Sequence, residues 1–358
     1  MSVIFGSLGV NDTDRVFNAT VGQRAIYEAA ANWIAARNAE LDMAMALLVE
    51  RTTSDHQLRY KLPGGGYLQR RGNQGRPGAV KAYGQWDVAF PLEDFGAQIV
   101  GNDVDRAYMT VAELDRHIQT VTIQNVNTVR YEMLKRLFNN VAATFADPLW
   151  GNLTVQPLAN GDTVTYPPVL GSDTEATDDH YLQSGYAASA IDDSHNPYET
   201  IVAELEEHFG TPAGGDDIAV FINPAETPET KALTDFVSVA DAGIQYGQDA
   251  DLAIMRPGMP GKLLGRIEGL CWVVEWRHVP ANYQLGVHLG AEAPLVRRID
   301  PADTGLGDGL QLVAEDEEYP FQSSFWRHRF GRGAGNRLNG VVMELGTDGS
   351  YGVPTAFQ

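Results

Sequence analysis

From Thr110 to Val141 the sequence contains neither glycine nor proline, although the chain holds 37 glycines and 18 prolines elsewhere. Val111, Leu114, Ile118, Val121, Val126, Val129, Met133, Leu137 and Val141 recur at the spacing of one helical face. Thr110-Val-Ala-Glu113 has capping-box spacing, in which hydroxyl and carboxylate each accept a backbone amide of the other residue. The pattern predicts one helix over residues 110–140, roughly 45 Å long at 1.5 Å per residue. That is long for a globular domain, and any fold for this chain has to accommodate the rod.

The flanking sequence predicts an α+β protein with several antiparallel sheets. Residues 1–20 show no period and read as an extended arm. Thr20-Val-Gly-Gln23 repeats the capping-box spacing, and Ile26, Ala29, Ala30, Trp33, Ile34, Leu41, Met45 and Leu48 predict a helix within residues 21–51 that ends near Glu50. Residues 52–82 read as a long hairpin. It has a short strand from Gln57 to Leu62, a break at Pro63-Gly64-Gly65-Gly66, a glycine-rich stretch from Gly72 to Gly78, and a second strand. Its apolar content is too low for a core, so it is expected to project. Strand character resumes over 83–100 with Trp86, Val88 and Phe90, and breaks at Pro91. Asn196-Pro197 starts a helix that Gly210 closes, and Asp217 to Ile222 reads as a buried strand. Thr227-Pro228 opens a short helix to about Val237. Leu270 to Trp276 and Tyr283 to Leu289 read as strands, and residues 310–357 as strands and loops.

The 358 residues are 44% hydrophobic and 20% charged, a balance that supports a packed core and excludes a disordered chain. No apolar run is long enough to span a bilayer, and Met1 to Arg15 lack the basic-then-apolar order of a secretory signal. The single cysteine, Cys271, sits in the apolar run Leu270 to Val274 and reads as a buried thiol. The net charge of −21 is laid out unevenly. Residues 1–140 carry 15 acidic and 15 basic side chains, residues 141–255 carry 20 acidic against Lys231 alone, and residues 256–358 carry 12 against 10. Between Arg51 and Lys81, the cations Arg51, Arg59, Lys61, Arg70, Arg71, Arg76 and Lys81 face only Asp55. A basic loop in an acidic protein calls for a partner, either nucleic acid or the acidic face of another copy. The overall acidity disfavours nucleic acid.

Signatures of catalysis are missing: there is no P-loop, no Gly-x-Ser-x-Gly elbow and no His-Glu-x-x-His. Gly331-Arg-Gly333-Ala-Gly335 has part of the spacing of a dinucleotide loop without its strand–helix context, and reads as a turn. Asp178-Asp179-His180 and Asp192-Asp193-Ser-His195 contain metal-ligating side chains but read as polar surface loops. No catalytic residue, metal or cofactor is therefore expected. A metal-dependent hydrolase, the reading from another class, would use Asp179, His180 and His195. Trp326 to Arg337 is a second basic cluster with interleaved aromatics. It reads as a strand and turn whose arginines meet carboxylates of neighbouring subunits, because the planar guanidinium fork binds a carboxylate in two places. Contact with packaged nucleic acid is the competing reading.

An arm, a basic hairpin, a long helix, an α/β middle segment and a return through strands form an unusual order. It resembles the major capsid proteins of tailed bacteriophages, the Hong Kong 97 (HK97) fold. Thr128-Val-Arg130-Tyr-Glu-Met-Leu134 through Asn140 resembles the end of that family's spine helix. Asp217 to Pro224 resembles a strand and turn of its axial domain. Phe325 to Gly331, Asn336-Arg337 and Val341-Val-Met343 resemble its closing peripheral strands. The resemblance implies an N-terminal arm at 1–20, an E-loop at 52–82 laid over an adjacent subunit, and an axial domain at 150–295. A peripheral domain would comprise 83–149 and 296–358. It implies a structural protein of the virion, not an enzyme. Such a protein assembles in the host cytoplasm as pentamers and hexamers, into an icosahedral shell around packaged double-stranded DNA. Portal, scaffolding and decoration proteins would be further partners, and no membrane is involved. Some relatives carry a removable N-terminal scaffolding region; here the arm begins almost at Met1, so none is expected in this chain. Some also crosslink an E-loop lysine to an asparagine, for which Lys61 or Lys81 and Asn336 or Asn339 would be the pair. The same fold serves encapsulin-type bacterial compartments, the alternative reading. The intersubunit contacts expected are Arg59, Lys61, Arg70, Arg71, Arg76, Lys81, Arg327, Arg329, Arg332 and Arg337.

Overall fold

A computed structural model describes residues 33–36, 38–39, 42, 45–61, 68, 70, 84–102, 108–167, 174–209, 217–239, 260–316 and 321–358. In chain order the strands and helices are β1 (Val49–Thr53), β2 (Gln57–Tyr60), β3 (Trp86–Ala89), β4 (Glu93–Asn102), α1 (Val111–Phe138), β5 (Ala143–Asp147), β6 (Gly151–Val155) and β7 (Tyr181–Gln183). They continue with α2 (Pro197–Phe209), β8 (Ile218–Ile222), α3 (Thr227–Ala232), β9 (Phe236–Ser238), β10 (Lys262–Ile267), β11 (Cys271–Glu275), β12 (Tyr283–His288), β13 (Leu295–Arg298), β14 (Gln311–Asp316), β15 (Phe321–Ala334) and β16 (Val341–Glu344). They fall into two units. The first draws on Met1–Asp42, Leu92–Tyr131 and Ile299–Phe330, and the second on Met43–Pro91, Glu132–Arg298 and Gly331–Gln358.

In the first unit, β4 runs antiparallel to β15 in unbroken register, from Phe321 opposite Asn102 to Phe330 opposite Glu93. β14 pairs with the other edge of β15. Leu114, Ile118 and Val121 of α1 bury themselves with Trp326, Leu310 and Ile34. The capping box forms as its sequence requires. The Thr110 amide donates to Glu113 Oε2 at 2.8 Å, and the Glu113 amide donates to Thr110 Oγ1 at 3.3 Å. Phe138 is the last helical residue, so Val141 lies beyond the helix and is exposed rather than on the stripe.

The second unit is built on a seven-stranded sheet of order β7-β16-β12-β8-β11-β10-β9. All five residues of β8 are buried, as a short continuous apolar run in a central strand should be. Tyr198, Ile201, Val202 and Leu205 of α2 pack over this sheet. Gly286 on β12 permits the close approach, since a Cβ there would overlap Ile201. Cys271 is buried in the same core, which pushes its thiol pKa up. Separately, β1 lies parallel to β13, which pairs antiparallel with Gly331–Ala334 of β15. Tyr60, Trp86, Val88, Phe90, Tyr166, Val296 and Leu338 form a further core beside them.

Several expectations need correction. Residues 33–36, 38, 39, 42 and 45 are helical, but a turn follows and β1 begins at Val49, so Leu48 is buried in a turn rather than on a helix. β2 ends at Tyr60 and pairs with β3, from Gln57 opposite Ala89 to Tyr60 opposite Trp86. The base of the hairpin is thus part of a core through Tyr60 and Trp86 and does not project. The strand expected at the end of 52–82 and the arm at 1–20 lie outside the described residues. α3 stops at Ala232 and is followed by β9, not a helix to Val237. The Gly331–Gly335 run is mostly strand, not turn. Its glycines admit bulky neighbours: a Cβ on Gly333 would meet Phe90, and one on Gly335 would meet Tyr60. Among the described residues no helix is long and apolar enough to cross a membrane.

Candidate functional site

The expected assembly residues divide into two sets. Arg59, on β2, sits directly opposite Asp87 on β3 and grips it with two bonds, Nε to Oδ1 at 2.6 Å and Nη2 to Oδ2 at 2.8 Å. This bidentate pair raises the guanidinium pKa and holds the carboxyl below its usual range. Arg59 therefore has a carboxylate partner in its own chain. Counting charges only as far as Lys81 had missed Asp87. Lys61 and Arg70 are exposed. Arg71, Arg76 and Lys81 lie outside the described residues.

The second cluster turns inward. Arg337 is fully buried. Its Nε donates to the Pro157 carbonyl at 2.7 Å, and Nη2 reaches the Leu158 carbonyl at 3.1 Å, Asn160 Oδ1 at 3.1 Å and Asp162 Oδ2 at 2.8 Å. Its guanidinium carbon also lies 5.7 Å from the centroid of the Tyr166 ring. Arg332 is buried as well. Arg329 Nε donates to Asp300 Oδ2 at 2.8 Å, and its Nη1 lies 3.5 Å from Asp94 Oδ2. Arg327 donates to the Leu306 carbonyl at 3.3 Å. Arg329 and Arg337, expected to meet carboxylates of neighbouring subunits, thus have carboxylate partners in their own chain. Arg332 and Arg337 have no surface to offer. The crosslink asparagines are corrected on the same ground. Asn339 is fully buried, its Nδ2 donating to the carbonyls of His288 and Glu292 and its Oδ1 accepting the His288 amide. Asn336 is buried beside it and donates to the Glu292 carbonyl at 3.2 Å.

The two acidic histidine motifs also separate. His195 is exposed and pairs with Asp192 at 3.1 Å. Asp179 turns its carboxylate to the Tyr181 amide at 3.0 Å. His180 instead meets Asp178 and His208, which lies on α2 outside both loop motifs and which zinc-finger spacing would not select. The available signal was Glu204-x-x-Glu207-His208, which sets three ligating side chains on one face of α2. The trio Asp179, His180 and His195 does not form.

A solved structure from Mycobacterium phage Patience matches 98% of this chain and 98% of its own, with a TM-score of 0.69 at 20% sequence identity. The mature capsid of bacteriophage PhiM1 matches 96% of this chain and 91% of its own, with a TM-score of 0.53 at 9% identity. This is a bacteriophage capsid fold. The likeness is one of shape: no family model matches the sequence, and no curated protein matches it significantly. The capsid fold takes in the chain from end to end, so both units belong to it.

Proposed function

We propose that this chain is the major capsid subunit of a tailed phage, forming pentamers and hexamers that close into an icosahedral shell around packaged double-stranded DNA. The observation that carries this reading is the end-to-end likeness to the Mycobacterium phage Patience structure. In it α1 serves as the spine helix and residues 52–82 as an E-loop over the adjacent subunit. Residues 1–20 serve as the arm, 150–295 as the axial domain, to whose sheet β16 also belongs, and 83–149 with the rest of 296–358 as the peripheral domain. Lys61, Arg70, Arg71, Arg76 and Lys81 form the cationic edge that meets a neighbouring copy, and the exposed carboxylates within 141–255 supply opposing charge. Such a contact is heterologous and closes only through symmetry. Its complementarity sets register and encounter rate more than affinity. Portal, scaffolding and decoration proteins complete a virion assembled in the host cytoplasm.

Electron microscopy of the purified protein tests the reading. Uniform polyhedral particles are expected, and a subunit that stays dispersed under all assembly conditions overturns it. Nuclease-protected double-stranded DNA inside particles from infected cells supports the phage assignment. Particles that instead hold a single host protein overturn it in favour of a compartment of the encapsulin type.

A further inference from the structure

At the junction of the segment leading into β7 with the last turn of α2, three side chains converge. Asp178 Oδ2 lies 3.1 Å from His180 Nε2 and in short contact with His208 Nε2. The ligand atoms of Asp178, His180 and His208 all lie within 4.8 Å of one another, and those of Asp178, Glu204 and Glu207 do so as well. The His180 side chain is 0% exposed, that of His208 5% and that of Asp178 13%. This is an interior cluster and not a solvated acidic patch.

The orientation of His180 is fixed from outside the cluster. Its Nδ1 lies 2.9 Å from the Gly340 carbonyl oxygen, which can only accept, so Nδ1 carries the proton. Its backbone is held at both ends: the amide donates to the Ala159 carbonyl, and the carbonyl accepts the Val342 amide. Nε2 is thereby aimed at a carboxylate oxygen. That contact is favourable only with a cation between the two atoms, either a proton on Nε2 or a metal ion in its place. The same oxygen faces His208 Nε2, and Glu207 Oε1 stands 3.4 Å from that nitrogen. Asp178 is oriented in turn, its Oδ1 accepting the Asp179 amide at 2.8 Å. Two imidazoles and a carboxylate, one imidazole anchored through its far nitrogen to a backbone carbonyl, make the donor set and outer support of a zinc-type site.

We propose that Asp178, His180 and His208 bind a divalent transition metal of the zinc class, with Glu204 or Glu207 completing the coordination. The ion would tie the segment entering β7 to the C-terminal turn of α2. It would do so by placing one cation among ligand atoms that already face one another. The role proposed is structural, because the ligands come from two separate elements that the ion would join. The proposal is independent of shell assembly, since binding is read on unassembled subunits.

The test uses the full-length chain stripped with a chelator and titrated with Zn²⁺ alone, and with Co²⁺ as a coloured probe. The expected result is one equivalent of Zn²⁺ per chain, a higher melting temperature, and the visible absorption of low-symmetry Co²⁺ with nitrogen and oxygen ligands. His208→Ala is expected to weaken Zn²⁺ binding at least 100-fold, while His195→Ala leaves it unchanged. The absence of stoichiometric binding to the wild-type chain overturns the proposal. So does binding that His208→Ala leaves intact, or that His195→Ala abolishes. If His208→Ala fails to fold, Asp178→Asn, which keeps the shape of the side chain, provides the same comparison.

Discussion

Arg337 shows how far a side chain's fate lies beyond its local sequence. In Asn336-Arg337 it reads as a surface arginine in a turn, yet its guanidinium fills a pocket made by a segment 180 residues away. Nothing near Arg337 announces that Pro157, Leu158, Asn160 and Asp162 will supply acceptors. Removing one partner of a buried charged network costs more than the network contributes, because the remaining groups stay unpaired. Arg337→Met is expected to lower stability by about 3 kcal/mol, read from the urea midpoint of the unassembled subunit. Glu226 is another buried residue with a measurable consequence. It is 1% exposed, accepts Gln284 Nε2 at 3.1 Å, and burial pushes its carboxyl pKa up to about 8. The folded chain thus keeps a proton that the unfolded chain releases above about pH 4.3. Stability contributed by this group is present below that value and is lost as pH rises through about 8. Glu226→Gln is expected to match the wild type near pH 5 and to exceed it by on the order of 2 kcal/mol near pH 9, read from melting temperatures at the two values.

At the scale of elements, legibility follows the range of the forces involved. α1 and α2 were readable to within a few residues because period, caps and breakers all act within one or two turns. The α1 cap is expected to contribute accordingly: Thr110→Ala should cost about 1 kcal/mol, measured by thermal unfolding. β8 was readable because a central strand shows itself as an unbroken apolar run. β1 was not, since Val49–Thr53 becomes a strand only through its parallel partner Leu295–Arg298. The glycines of 331–335 misled for a related reason. Glycine marks turns in sequence, but here the missing Cβ makes room for Phe90 and Tyr60, which arrive from a distant part of the chain. His208 joined Asp178 and His180 by the same long-range route.

At the scale of the whole molecule, the order of elements carried the resemblance while no single motif did, which agrees with a fold match at 20% identity. The charge layout supplies the test of assembly. Arg70, Arg71 and Arg76 replaced together by glutamate are expected to leave the subunit folded by circular dichroism and to abolish particles by size-exclusion chromatography and microscopy. Normal shells from that variant would exclude the cationic hairpin as an assembly contact. Both units also take strands from the last part of the chain: the first needs residues up to Phe330 on β15, and the second needs β16 at Val341–Glu344. Neither unit is therefore complete until the last part of the chain has been made. In a ribosome-stalled chain ending before Phe321, β4, left without its partner β15, is expected to be protease-sensitive, whereas the released chain becomes resistant there. Under the proposed function, a shell would then draw on finished chains, because an unfinished copy lacks strands that both units need.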